Sequence, residues 1–478
     1  MKKTSEILSK NLSSIETPSP ISQTATLWVV SAVQFLVPFM FSAVGVALPT
    51  IGREFSVGAA QLGLIEMIYI LAVALLLLPA GRFSDIYGRK RIFIAGAIII
   101  TLATLALSVS STIETFVAFR FLQGVGAAFV TSTSFAILTS VFPKERRGRA
   151  MGIVVGCVYL GVSAGPTLAG LMVTYLGWRW IFYAAVPVEL AALVLTLLKL
   201  KGEWADARGE KFDWLGSMIY IAALLGLISG ITHFKEWETA KWITFGGASG
   251  MLVFLIYEWN TPSPLLRIRP ILQNRTFAFS NIATWINYAT SFGVVFFFSI
   301  YLQSIRGISP ESTGYILIVQ PIVQAIFAPI SGRLSDRHSP AKIATIGMGL
   351  CAAGLVTAAT LSEGSSFYMI FSVLILLGLG FGIFSTPNTT VIMGSVHPRE
   401  FGMASSMVAT MRSMGMLTSM TIVTVILSLF LGDQPVSIDT GPAFIESMRT
   451  TLVIFSIMSI MGIGFSLVRI APAHSENP

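Results

Sequence analysis

The sequence predicts an all-α polytopic membrane protein: two six-helix halves around a central cavity, with an inserted two-helix hairpin, fourteen transmembrane helices in all. Three observations predict this. Of 478 residues, 54% are hydrophobic and only 11% are charged, against about 25% charged in soluble domains. The apolar runs are about 18–25 residues long, enough to cross a hydrocarbon core of about 30 Å. A polar, cationic knot, Gly81-Arg-Phe-Ser-Asp85-Ile-Tyr-Gly88-Arg89-Lys90-Arg91, separates two such runs. Its opening returns in the second half as Gly332-Arg333-Leu-Ser-Asp336-Arg337. A short charged turn used twice makes the chain two copies of one membrane unit.

The fourteen predicted spans follow in order. Residues 1–26 are a polar tail with Lys2, Lys3 and Lys10, and the run after it is too long for a signal-peptide core. That run is span 1 (27–50). Spans 2 and 3 (61–80, 92–110) flank the first knot. Spans 4, 5 and 6 (116–140, 150–173, 181–199) complete the first half, 27–200. Spans 7 and 8 (214–232, 242–259) form the hairpin of a central unit, 201–275. Spans 9 to 14 (276–302, 313–331, 343–361, 367–392, 403–431, 449–470) make the second half, 276–470, and 471–478 is a tail. A β-barrel is disfavoured, because barrel strands alternate apolar and polar residues over about ten positions.

The net charge of +8 raises the question of nucleic acid, but its distribution reads as topology. Most lysines and arginines fall on the loops at one end: Arg82, Arg89, Lys90 and Arg91, then Lys199, Arg208 and Lys211, then Arg333, Arg337 and Lys342. The positive-inside rule puts that end in the cytoplasm, with both termini there, in a cell membrane. Cys157 and Cys351 lie in apolar runs, so no disulfide framework is expected. The four histidines stand at loops or ends with no metal-ligand spacing, and no phosphate-cradling glycine loop is present. The expectation is therefore no enzyme, no cofactor and no metal. The expected partners are a small-molecule substrate, protons and membrane lipid, without nucleic acid, and the chain is expected to be monomeric.

In the knot, Gly81 and Gly88 permit close approach or positive φ. Asp85 can accept from a helix N-terminus, and Arg89 can sit against helix C-terminal carbonyls. In span 5, Gly152/Gly156 and Gly161/Gly165 let helices approach closely in lipid, and Pro166 can bend the helix between partners. Arg120 lies about one turn inside span 4. A charge at that depth costs about 2.5–3.5 kcal/mol, so it needs a cavity or a partner.

These residues resemble the major facilitator superfamily. Gly81-x-x-x-Asp85-x-x-Gly88-Arg89-Lys90-Arg91 is similar to its signature loop, and Asp336 stands in the second copy. Arg120-Phe-Leu-Gln123-Gly124-Val-Gly126 resembles its second motif. Gly161-x-x-x-Gly165-Pro166-x-x-x-Gly170 resembles its antiporter motif. Fourteen spans with a central hairpin resemble the fourteen-helix drug:proton antiporter branch. The resemblance implies proton-driven export of amphiphilic or hydrophobic small molecules by alternating access, with Arg120 in proton coupling. It also implies that the antiporter seam seals the path to the cytoplasm. That branch usually places an aspartate several positions before Ala-Leu-Pro. Here Ala47-Leu48-Pro49 is present but Met40 takes the acid's place.

Proton coupling needs an acid that changes protonation between states. Glu66 and Glu189 sit well inside spans. Glu66 and Arg120 enter parallel spans at similar depth, which predicts that they meet. Glu189 reads as structural. Arg412, inside span 13, is expected to face the cavity or Glu66. The cavity candidates are Gln34, Gln123, Asn281, Trp285, Asn287, Tyr288, Gln320, Gln324 and Asn388. A transporter of a specific metabolite or organic anion, and a membrane-embedded protein that transports nothing, remain as alternatives.

Overall fold

A computed structural model describes residues 20–468 apart from 201, 235–236, 267–272, 336, 397–400, 433 and 438. Among these residues every regular element is helical, and fourteen helices are long and apolar enough to cross a membrane. They are α1 (Pro20–Phe55), α2 (Ala59–Tyr87), α3 (Arg89–Ser108), α4 (Ile113–Val141), α5 (Lys144–Tyr175), α6 (Arg179–Lys199), α7 (Trp214–Thr232) and α8 (Ala240–Asn260). The second half comprises α9 (Arg275–Ile305, its last turn a π-helix), α10 (Pro310–Ser335, interrupted at Ile318), α11 (Pro340–Ala359), α12 (Phe367–Gly394), α13 (Phe401–Phe430) and α14 (Gly441–Val468).

Several helices outrun their predicted spans. α1 starts inside the stretch expected to be a tail. α14 starts at Gly441 rather than 449, and its first turns carry the exposed pair Glu446–Arg449 beside buried Phe444 and Met448. Hydrophobicity marks where a helix lies in lipid, and the helix itself continues past that boundary.

The duplication is visible in the packing. In the first half α1 packs on α4, α5 and α6, α2 on α4, and α3 on α4 and α6. In the second, α9 packs on α12, α13 and α14, α10 on α12, and α11 on α12 and α14, the same set eight helices later. The principal pairs between halves, α2 with α13 and α5 with α10, exchange under the same relation. That is two parallel copies related by an axis along the membrane normal. The hairpin α7–α8 leans on the border between the halves, since α7 packs on both α2 and α13. Tyr220 of α7 donates to the Ala74 carbonyl of α2 at 2.8 Å.

The end of the bundle bearing Gly81–Arg91 is called the knot end here, and the opposite end the far end. The halves meet mainly toward the far end. Ser299 donates to the Gly45 carbonyl at 2.8 Å and Gln303 to the Val46 carbonyl at 2.9 Å. The Glu311 amide donates to Thr174 at 3.2 Å, and the Ala59 amide to the Gln434 carbonyl at 3.0 Å. Nearer the middle, the Tyr159 and Ser385 hydroxyls lie 3.1 Å apart. Toward the knot end, no described residue comes within 4 Å of where a Cβ on Gly152 or Gly156 of α5 would stand. The space between the halves therefore opens toward the knot end.

Candidate functional site

Two of the buried charges, Arg120 and Glu66, come together inside the first half. Arg120 is fully buried and Glu66 is 1% exposed. Arg120 Nη2 lies 3.3 Å from Glu66 Oε2, and its guanidinium stands 4.5 Å over the Tyr69 ring. α2 and α4 are parallel and closely packed, with Gly124 against the backbone of Tyr69. That glycine lets the helices come near enough for two side chains seven residues from their far ends to reach one another. A cation–π contact and a carboxylate together offset the desolvation of a guanidinium.

Gln123, read from the sequence as a cavity residue, is occupied within the first half. Its Oε1 accepts from Arg120 Nη1 at 2.8 Å, and its Nε2 donates to Thr104 Oγ1 at 3.0 Å. Thr104 in turn donates to Glu189 Oε1 at 3.1 Å. The sequence reading missed both Thr104 and Tyr69, because single polar residues in apolar helices carry no periodic signal. Val33, Leu36, Val37, Met40, Tyr69, Gln123 and Glu189 help to line a small cavity with about 20 Å³ of free volume. That is room for about one water.

The space between the halves holds a second group. Tyr288 stands edge-on to Phe381 at 5.0 Å, and the Arg412 guanidinium lies 5.6 Å from the Tyr288 ring. Tyr159 and Ser385 adjoin this group. Arg412 does not meet Glu66, which is taken by Arg120, and its Nε has no partner among the described residues. Trp285 ties α9 to α13 through Thr418 at 3.1 Å. Three candidates serve the interior of the second half instead. Asn388 bonds Thr284 and the Ser280 carbonyl, Asn287 bonds Cys351, and Asn281 bonds its own helix at the Phe277 carbonyl. Amides buried in lipid are held by whichever helix neighbour offers an acceptor. Gln34, Gln320 and Gln324 are buried, and Gln34 Nε2 and Gln320 Oε1 lack partners among the described residues.

The knot differs from its sequence reading. α2 runs on through Tyr87, and Gly88 alone makes the break, at φ +119°. Gly81 stays helical with ordinary contacts. Arg89 bonds Asp85 Oδ1 at 2.7 and 2.9 Å, so each spends its capacity on the other rather than on helix termini. Arg89 also reaches Ser140 at 2.8 Å and Asp206 at 2.7 Å. The linker after α6 supplies further acids. Glu203 accepts from the Lys90 amide at 2.9 Å, and Glu210 pairs with Arg82. These linker acids were not singled out, although they stand opposite the densest basic run in the chain. Asp336 lies outside the described residues.

The antiporter motif packs at the middle and far levels. Gly161 faces the Phe35 backbone and Gly165 faces Ser42 and Ala43 of α1, while Gly170 meets Pro310 and Glu311 of α10. Pro166 lies against Gly314. The seam therefore closes the far end in this state, not the knot end expected to be cytoplasmic. A Cβ at either glycine of the Gly152/Gly156 step would meet no described residue within 4 Å.

The profile of the Major Facilitator Superfamily matches residues 30–269 and 280–478. The chain belongs to that superfamily. It is 28% identical over 394 residues to a riboflavin transporter of Clostridioides difficile, covering 81% of this chain and 85% of the relative. It is 29% identical to the multidrug resistance protein Stp of Mycobacterium tuberculosis, covering 81% and 73%. It is 28% identical to the tetracenomycin C resistance and export protein of Streptomyces glaucescens, covering 85% and 76%. Among solved structures, a bacterial homologue of the human lysosomal transporter Spinster superposes with TM-score 0.66 at 18% identity, over 94% of this chain and 97% of that one. At that identity the likeness concerns the fold. The superfamily makes the chain a multi-pass membrane transporter with a small-molecule substrate.

Proposed function

We propose that this chain is a monomeric exporter of amphiphilic or hydrophobic small molecules, driven by inward proton flow through alternating access, with both termini in the cytoplasm. The observation that carries the reading is the buried Glu66–Arg120 pair. A carboxylate whose only cation among the described residues is a guanidinium on a neighbouring helix is a group whose protonation can be traded against helix position. Export relatives support the direction of transport. The aromatic wall of Tyr288 and Phe381 suits a mostly apolar substrate. With the basic knot end cytoplasmic, the space between the halves opens inward, ready to collect substrate. Asp85 and Arg89 would steady the knot as the halves rock.

A second reading, transport of a specific organic anion, has its own observation: Arg412 beside Tyr288 with no carboxylate partner among the described residues. The test is efflux of a panel of fluorescent amphiphiles from deletion and complemented cells, with and without an uncoupler. Uncoupler-sensitive efflux in complemented cells alone is expected. Complemented cells that retain every dye as the deletion strain does would overturn the reading in favour of the anion.

A further inference from the structure

The Arg120 cluster does not end at Glu66. A one-way chain of hydrogen bonds leaves it: Arg120 to Gln123, Gln123 to Thr104, Thr104 to Glu189. Glu189 is 6% exposed. Its Oε1 accepts from Thr104, and its Oε2 has no partner among the described residues. It lines the small cavity together with Met40, Tyr69 and Gln123. α3, α4 and α6 therefore join α2 in one buried polar unit containing two carboxyls and one guanidinium.

That count decides the protonation. Two ionised carboxylates beside one arginine would leave one buried negative charge uncompensated. Such a charge costs several kcal/mol even after relaxation, and a buried group avoids the cost by taking a proton. Glu66 has the ion pair, and Glu189 has only a hydroxyl donor. Other charges nearby do not alter the count. Tyr69, over Arg120, is the only other titratable side chain lining the cavity among the described residues. Glu54 of α1 is held at the far end by Trp178 and Arg179. α5, which also packs on α6, sends no residue into the cavity.

We propose that Glu189 is a second proton-binding group of this transporter, sharing one exchangeable proton with Glu66 around Arg120. The proposal rests on the proton-driven reading above and adds to it where the proton resides. When Glu66 is ionised and paired, Glu189 carries the proton. When Glu66 takes a proton and releases Arg120, Glu189 gives one up to the cavity and its charge balances the guanidinium. Each exchange binds one proton and frees one, and the cluster stays neutral.

Infrared spectroscopy of the purified, lipid-reconstituted protein at neutral pH, taken as the difference between each variant and wild type, reads this directly as the carbonyl stretch of a protonated carboxyl. Wild type should show one such band from this cluster, apart from any given by Glu258, the buried carboxyl of α8. Glu189→Gln should lose it, and Arg120→Met, which removes the cation, should double it. Thr104→Val should keep the band and shift its frequency, which keeps the test open if a charge variant fails to fold. A band unchanged in Glu189→Gln, or unaffected by Arg120→Met, would overturn the proposal. The two readings fail separately. Loss of the band in Glu189→Gln with uncoupler-insensitive wild-type efflux sinks proton drive and leaves the shared proton. The reverse pattern sinks the shared proton alone.

Discussion

Ser299 of the second half donates its hydroxyl to the Gly45 carbonyl of the first at 2.8 Å. That carbonyl lacks its own helical partner because Pro49, four residues on, has no N–H. Glu66 lies at the same place: a Cβ on Gly45 would stand 3.9 Å from Glu66 Oε1. The candidate proton site and the far-end closure thus meet on one turn of α1. A change of charge at Glu66 would fall beside the segment that ties the halves together.

Removing that tie should favour the state open at the far end. A buried hydrogen bond is worth about 0.5–1.5 kcal/mol, so Ser299→Ala should raise the far-end-open population about two- to tenfold. Pulsed electron spin resonance distances between labels on α5 and α10 near that end would report it. Distances identical to wild type would show that the other far-end contacts hold the closure without Ser299.

Arg120 and Glu66 make a second test. Breaking a buried pair from one side costs about 3–5 kcal/mol, whereas replacing both members with apolar or neutral groups is often near neutral. Arg120→Met should therefore lower thermal stability in detergent markedly. Arg120→Met with Glu66→Gln should recover most of it and still lack uncoupler-sensitive efflux. A double variant as unstable as the single would show that Tyr69 and Gln123, not Glu66, are the partners that matter.

The fold was legible because hydrocarbon imposes one rule on every span, and fourteen runs obey it. The Glu66–Arg120 meeting was legible too, since parallel helices entered at equal depth must bring equal positions level. What the sequence hid was direction around each helix. Asn281, Asn287 and Asn388 looked like cavity amides, but a buried amide bonds the nearest acceptor, and that acceptor lay inside the second half. Glu189 read as structural for the same reason, and Thr104 drew no reading. Nothing local tells which neighbouring helix a single polar group will find. The sequence offered Gly81 and Gly88 alike for the turn, and only Gly88 takes the positive φ. The acids Glu203, Asp206 and Glu210 were not legible, because their partners lie more than a hundred residues away in sequence.

The two glycine steps of α5 should respond oppositely to substitution. Gly161 faces the Phe35 backbone, where no side chain can be accommodated without separating α1 from α5. Gly161→Leu should reduce both folded yield and transport. Gly152 faces open space, and a helix-interior glycine is less favourable than alanine by roughly 0.5–1 kcal/mol. Gly152→Ala should leave thermal stability equal or slightly higher. A large loss there would mean that the knot end closes on this face in another state, which transport kinetics of the same variant would register as a lower maximal rate.

The linker after α6 gives the last test, because it is held in two physically different ways. Charge holds it through Glu203 to Arg91, Asp206 to Arg89 and Glu210 to Arg82. Backbone holds it through the Arg89 amide to the Trp204 carbonyl at 2.9 Å and the Ala207 amide to the Asp85 carbonyl at 3.0 Å. Exposed ion pairs contribute about 0.2–1 kcal/mol each and weaken with salt, and Asp206 is 74% exposed at its side chain. Replacing Glu203 and Glu210 by Gln and Asp206 by Asn together should raise amide hydrogen exchange across 202–213 several-fold, with α1 to α6 unchanged. High salt should move the wild type part of the way, less at Arg89, which is itself buried. If neither treatment alters exchange, the two backbone bonds and the Gly88 break fix the linker without help from charge. The acids would then serve to neutralise the basic knot rather than to fasten it.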